Sequence, residues 1–244
     1  MECVECTFGV GGRERFVIGG LVIGGHVLKV NEIFVSCQGE GTMACVPMVF
    51  VRLQGCDVGC EWCDTKYAWG LGGESMTSVQ VANTVAKPGL SWVYITGGEP
   101  LLQPDLYELI LALKRLRNCS IMVATSGTIE LPSWHRKVNW VVDYKLPSSG
   151  AKKPHVVEWW KLRKCDELKF VVADEGDLQK VVSYRLGMEC YSGAPHLIVS
   201  PMLQLGSVES QQSWLRRVWQ FCCDNNLRYS LQVHKVVFGN RKGV

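Results

Sequence analysis

Along this sequence, short runs of β-branched and aromatic residues keep stopping in clusters of small or charged residues, after which helical spacing resumes. The run 48–53 stops in Gln54-Gly55-Cys56, 92–96 in Gly97-Gly98-Glu99-Pro100, and 121–124 in Thr125-Ser126-Gly127-Thr128. The run 140–145 stops in Leu146-Pro147-Ser148-Ser149-Gly150. Further strands are read over 168–173, 196–200 and 229–234, with an opening strand from Val27. Apolar residues at Leu106, Leu109, Ile110 and Leu113 have helical spacing over 104–116. Helices are also read over 78–85, 175–184 and 210–225, the first capped by Thr77 or Ser78. Strands alternating with helices in this way argue for parallel βαβ units. The helices are too few for eight crossovers, so the expectation is an incomplete parallel β/α barrel of the α/β class. In such folds reactive groups gather on loops at the carboxyl ends of the strands, where nearly all the unusual polar clusters fall.

A chain of 244 residues with 47% hydrophobic content can build one full core. A net charge of +3 without a basic, aromatic-interleaved run does not indicate nucleic-acid binding. No apolar stretch is long enough to span a bilayer, and no secretory signal pattern is read at the start. The twelve cysteines are then expected in a cytoplasmic protein, where clustered thiols more often bind metal or do redox chemistry. Residues 1–26 are glycine-rich and carry Cys3-x-x-Cys6 without a matching second pair. They are expected to be an extension outside the fold, with residues 27–244 forming one catalytic domain. Cys190, Cys222 and Cys223 are read as buried and chemically idle.

The densest chemistry is Gln54-Gly55-Cys56-Asp57-Val58-Gly59-Cys60-Glu61-Trp62-Cys63-Asp64-Thr65. Three thiols within eight residues, with glycines between, can wrap one compact inorganic centre. Thiolates suit zinc or iron–sulfur clusters, and a four-iron cluster usually takes four of them. Three local ligands leave one metal position open for an exogenous ligand. A structural zinc site completed by Cys37, Cys45 or Cys119 remains an alternative, although zinc modules usually bring ligands as two separated pairs. A non-enzymatic electron-transfer protein is a further alternative.

With this C-x3-C-x2-C triplet, and Trp62 before its third cysteine, the sequence resembles the radical S-adenosylmethionine superfamily. The resemblance implies a [4Fe-4S] cluster on Cys56, Cys60 and Cys63 whose open iron binds S-adenosylmethionine and releases a 5′-deoxyadenosyl radical. Further segments are similar to one family, the 7-carboxy-7-deazaguanine synthases. These are Asn31-Glu32-Ile33-Phe34, Gln38-Gly39-Glu40-Gly41, Phe50-Val51-Arg52-Leu53, Cys63-Asp64-Thr65, Ile95-Thr96-Gly97-Gly98-Glu99-Pro100, Lys145-Leu146-Pro147-Ser148-Ser149 and Leu231-Gln232-Val233-His234-Lys235. They run in order from about residue 28 to the C-terminus.

Family resemblance implies ring contraction of 6-carboxy-5,6,7,8-tetrahydropterin to 7-carboxy-7-deazaguanine, with Mg²⁺ held partly by Thr65. It further implies an electron donor such as flavodoxin or ferredoxin and a homodimer. Trp62, Asp64, Gly98, Glu99, Ser126, Lys145, Ser148 and Ser200 are expected on the cofactor. Cys37, Gln38, Gly39, Glu40, Arg52, Thr96, Gln232 and His234 are expected on the substrate. The residue chemistry agrees: a planar guanidinium at Arg52 suits a carboxylate, and Glu40 can accept from an amino-pyrimidine edge. Gly98 would let the backbone approach a ligand. A radical activase acting on a protein is the enzymatic alternative.

Overall fold

The computed structural model describes residues 6–8, 14–18, 21–24, 27–116, 119–188, 192–203, 211–239 and 241–244. Strands β1 (Cys6–Phe8), β2 (Glu14–Ile18) and β3 (Leu21–Gly24) form a separate antiparallel sheet. Among the described residues, no strand of this sheet pairs with the main one. Cys3 and Cys190 lie outside the described residues.

The main sheet has nine strands. They are β4 (Val27–Cys37), β5 (Pro47–Leu53), β6 (Glu74–Thr77), β7 (Trp92–Gly97), β8 (Ser120–Thr125), β9 (Asn139–Tyr144), β10 (Glu167–Val172), β11 (His196–Pro201) and β12 (Arg228–Tyr229). Their order is β12-β11-β10-β9-β8-β7-β5-β4-β6, and the run from β5 to β12 is parallel throughout. β4 pairs antiparallel with β5 and β6 at one edge. The ends β12 and β6 do not meet, so the barrel is partial, as the shortage of helices predicts. Helices α1 (Ser78–Ala86), α2 (Leu106–Leu116), α3 (Glu175–Met188) and α4 (Gln212–Asp224) make crossovers. The β8–β9 and β9–β10 connections contain only 3-10 turns.

Thr77 caps α1: its hydroxyl accepts from Gln80 N at 3.2 Å while Gln80 Oε1 accepts from Thr77 N, a reciprocal capping box. The expected strand over 229–234 is corrected. It ends at Tyr229, and α5 (Val233–Phe238) begins four residues on. The chain turns away because buried Gln232 satisfies non-sheet groups, accepting from Leu203 N and donating to Glu40. The antiparallel edge was also not foreseen, since Glu74–Thr77 has no apolar alternation to announce a strand.

Strand periodicity sorts the two faces of the sheet. Val49, Val51, Leu53, Val93, Ile95, Val123, Trp140, Val142 and Phe170 point to the helices and form one buried core. Leu106, Leu109, Ile110 and Leu113 bring the apolar stripe of α2 onto it. The opposite face starts with a small apolar layer of Met48, Phe50, Met122 and Val141. Towards the carboxyl ends it becomes polar: Arg52, Thr96, Asp143 and Lys169 follow on those same registers. Parallel strands covered on both faces normally read as continuous apolar runs, so this polar stripe marks the face kept for ligands.

Leu109→Ala, at a fully buried position of α2, is expected to cost about 2–5 kcal/mol in denaturant titration. The same change at Leu186, 58% exposed on α3, should stay within about 0.5 kcal/mol. Equal losses would contradict the packing described.

Candidate active site

The cysteine loop leaves the end of β5 and is stitched down on both sides. Gly55 N donates to Ala68 O (2.8 Å) and Cys56 N to Trp69 O (3.0 Å), which folds residues 66–69 back over the loop. Gln54 is buried and fixes the same turn, its Nε2 donating to Gly70 O at 2.8 Å and its Oε1 accepting from Asn31 Nδ2 at 2.6 Å. Glu99 N donates to Gly55 O at 2.8 Å, tying the loop to the end of β7. A Cβ on Gly98 would lie 2.1 Å from Gly55 O and 2.7 Å from the Cys56 Cβ. Its glycine thus serves the close approach of two backbone segments at the wall of the cavity that it also lines.

Cys56, Cys60 and Cys63 all open on one cavity of about 260 Å³. Trp69 Nε1 donates to Cys63 Sγ at 3.3 Å, and Thr65 Oγ1 lies 3.4 Å from the same sulfur. Burial pushes the Cys60 thiol up to about 11, reinforced by Asp143 and the neighbouring thiols and opposed by Lys145. Burial likewise raises Cys56, with Glu99 and Cys63 adding to it against backbone N–H groups. Among the described residues, no three of His, Cys, Asp or Glu are gathered closely enough to hold a single ion. Of the candidate fourth ligands to zinc, Cys119 lies in the helix-side core and Cys45 off the cavity, while Cys37 lines it. Three thiols around a shared cavity, with a fourth position left to an outside ligand, fit a four-iron cluster.

The cofactor-side expectations sort into lining and support. Trp62, Asp64, Gly98, Ser126 and Lys145 line the cavity. Trp62 is fixed by its Nε1 donating to Ser148 O at 3.1 Å, and Lys145 Nζ lies 5.7 Å from its ring centroid. Glu99 is fully buried behind the wall. Its Oε2 accepts from Ser126 N (2.7 Å) and Ser126 Oγ (2.6 Å), and its Oε1 from Leu101 N (3.1 Å). Ser148 lies off the cavity, its hydroxyl donating to Asp177, which also accepts from Ala173 N. Ser200 is fully buried and pairs in register with cavity-lining Val171, but does not itself line the cavity; its hydroxyl has no partner among the described residues. Cys223 is corrected from buried to exposed, because it faces outward on α4 while Cys222 faces the core. Burial drives the Cys222 thiol up to about 12, in keeping with an inert core position.

All the substrate-side expectations, Cys37, Gln38, Gly39, Glu40, Arg52, Thr96, Gln232 and His234, line the same cavity. Arg52 and Thr96 are cross-strand partners on β5 and β7. The guanidinium of Arg52 sits between the Phe34 and Tyr67 rings, 5.7 and 5.8 Å from their centroids. Its Nε donates to Glu32 at 2.7 Å, and Tyr67 Oη donates to the same oxygen at 2.9 Å. Among the described residues no partner is seen for its two terminal nitrogens, which leaves a fixed fork facing the cavity.

Glu40 rides on a loop secured from three directions. Val233 N donates to Gly39 O, Gly41 N to Ser230 Oγ, and Thr42 N to buried Glu167. Gly39 lets the His234 ring pack against this loop, since a Cβ would lie 2.1 Å from His234 Nδ1. Burial would raise the Glu40 carboxyl, but Lys169, His234 and Gln232 outweigh it and hold it down at about 2. Asp64 is also held well below the carboxylate range: burial opposes this, but His234, Lys235 and Arg52 prevail. Sequence reasoning missed Asp143, Lys169, Tyr94, Glu32 and Tyr67. Only the period-two register of β7, β9 and β10 with their neighbours could have pointed to the first three.

Fold and site together define a radical S-adenosylmethionine protein, and the Radical SAM superfamily model matches residues 50–137. The chain is 31% identical over 222 residues to 7-carboxy-7-deazaguanine synthase of Thermoplasma acidophilum, covering 89% of this chain and all of that one. It is 35% identical to the synthase of Pyrobaculum aerophilum, covering 88% of this chain and 97% of that one. The crystal structure of QueE from Escherichia coli superposes with a TM-score of 0.69 at 27% identity, covering 85% of this chain and 95% of that one. This chain belongs to the 7-carboxy-7-deazaguanine synthase family.

Gly98→Ala is expected to prevent cluster assembly, read as loss of iron content and of brown absorbance after anaerobic reconstitution. Gly70→Ala, where an added Cβ meets nothing within 4 Å, should load normally. A fully loaded Gly98→Ala protein would contradict the described packing of the loop.

Proposed function

We propose that this chain catalyses the radical-mediated ring contraction of 6-carboxy-5,6,7,8-tetrahydropterin to 7-carboxy-7-deazaguanine, with release of ammonia, in queuosine and deazapurine biosynthesis. Beyond family membership, one observation carries the reading: Arg52 and Glu40, suited to different parts of a carboxylated pterin, open on the cavity that holds the three cysteines. A cavity of about 260 Å³ suits a small molecule better than the protein substrate of a radical activase.

Cys56, Cys60 and Cys63 hold the [4Fe-4S] cluster. With S-adenosylmethionine bound, this centre supplies a 5′-deoxyadenosyl radical. The surrounding side chains orient the two ligands. Lys145 faces the cofactor carboxylate, and its ammonium charge is kept because Asp143 and Cys60 outweigh the effect of burial. Glu99 acts by fixing Ser126, since both of its oxygens are already engaged. Gly98 brings the end of β7 against the cysteine loop, and Trp62, Asp64, Ser148 and Ser200 complete the cofactor wall from the lining and from behind it.

On the substrate side the Arg52 fork takes the pterin carboxylate, its plane set by Phe34 and Tyr67. Glu40, ionised at any physiological pH, accepts from the amino-pyrimidine edge, with Cys37, Gln38, Gly39, Thr96, Gln232 and His234 closing the pocket around it. Thr65 offers one hydroxyl beside Cys63. That is sufficient for Mg²⁺ when the substrate carboxylate and water supply the remaining oxygens.

A flavodoxin or ferredoxin is proposed as the electron donor, and a homodimer as the assembly. A cytoplasmic location is proposed from its cysteine usage. No helix among the described residues is long and apolar enough to cross a membrane. Residues 1–26 are proposed to lie outside the catalytic domain of residues 27–244.

The test is anaerobic reconstitution followed by incubation with S-adenosylmethionine, Mg²⁺, reductant and the carboxy-tetrahydropterin. Mass spectrometry should find 7-carboxy-7-deazaguanine, and its absence from a loaded, reduced enzyme would defeat the reading. Arg52→Lys should raise the pterin KM about 10- to 100-fold at unchanged cluster content, because a point charge replaces a fork. Thr65→Ala should weaken Mg²⁺ dependence more than cofactor cleavage; equal losses would refute a specific metal role.

A further inference from the structure

Glu40, on the pterin side, and Lys145, on the cofactor side, are the two ends of one chain of alternating charge. Lys169 pairs with Glu40 and, 3.3 Å away, with Asp143 Oδ2. The same Oδ2 lies 2.9 Å from Lys145 Nζ. All four groups line the cavity, and none of the four side chains is more than 20% exposed. Asp143 Oδ1 is buried and has no partner among the described residues. Two lysines therefore share one oxygen of a carboxylate whose second oxygen is vacant, so either cation can gain at Asp143 when the other is drawn away.

We propose that Lys169 is a positioning residue that transmits occupancy of Glu40 by the pterin to Lys145 through the shared Asp143 carboxylate, so that pterin and S-adenosylmethionine bind with positive cooperativity. Donors of the amino-pyrimidine edge compete with Lys169 for Glu40. Lys169 then leans on Asp143, which loosens Asp143 from Lys145 and frees that ammonium for the cofactor carboxylate. Linkage makes the effect reciprocal: a carboxylate on Lys145 leaves Asp143 to Lys169 and exposes Glu40 to the pterin. Bound together, the ligands extend the alternation of charge at both ends. Side chains at most 20% exposed are screened less than surface pairs, so charges so close interact more strongly than in bulk water.

This inference rests on the assignment of Glu40 to the pterin and Lys145 to the cofactor. S-adenosylmethionine is titrated into reconstituted, unreduced enzyme with and without the carboxy-tetrahydropterin, so that no turnover occurs. The pterin is expected to tighten cofactor binding about fivefold or more. Lys169→Met should abolish that difference at unchanged cluster absorbance, and Lys169→Arg, which keeps a cation, should restore part of it. Should Lys169→Met fail to load a cluster, Asp143→Asn breaks the same relay and decides in the same way. Independent binding in the unaltered enzyme, or full coupling in Lys169→Met or Asp143→Asn, overturns the proposal. An unaltered enzyme that converts the pterin but shows no coupling sinks this inference alone, whereas one that cannot convert the pterin sinks the functional reading.

Discussion

A parallel sheet that turns charged side chains into its own interior must neutralise them there, and the rest of this site depends on how that is done. Glu40, Lys169, Asp143 and Lys145 alternate in sign across β9, β10 and the loop after β4. An isolated buried charge would shed its ionisation. In this chain each carboxylate has a lysine beside it, so the polar face keeps its charges under partial burial. The same pairing holds the Gln38–Gly41 loop over the cavity and holds Lys145 against the Trp62 ring. Such a network is seldom the most stable solution, since apolar replacements of buried ion pairs are often as stable or more so. Its presence on the ligand face is better explained by what it leaves ready: an ionised acceptor at one end and an ammonium at the other.

The second constraint is backbone proximity. The cysteine loop cannot take its shape alone; it leans on the turn of residues 66–69 and on the end of β7, where Gly98 lets two chain segments nearly touch. Cluster loop and cofactor wall are therefore one structural unit. Lys145 belongs to it through Trp62, whose indole is fixed by the Ser148 carbonyl.

Much of this was legible in the sequence. The thiol spacing after an apolar strand pointed to a soft metal centre, and the polar clusters after successive strands do meet in one place. Arg52 stood out because its apolar neighbours announced a strand, so a cation at its end had to face something. Lys169 and Asp143 stayed hidden because a single charge inside a strand-like run does not declare its face until the register with neighbouring strands is known. The part Ser148 plays was hidden for a related reason: its hydroxyl is engaged by Asp177 on α3, and it is its carbonyl that reaches the cavity wall, through Trp62. The end of the last strand was misplaced because the buried amide of Gln232, which draws the chain out of the sheet, looks like any other polar residue in sequence.

The central claim is that cofactor and pterin meet inside a single cavity, close enough for hydrogen to pass between them. Carboxy-tetrahydropterin deuterated on its ring carbons tests this directly, by following the label into S-adenosylmethionine recovered during turnover. Deuterium in the recovered cofactor is the predicted result. Conversion of the pterin with no label ever reaching the cofactor would contradict the account.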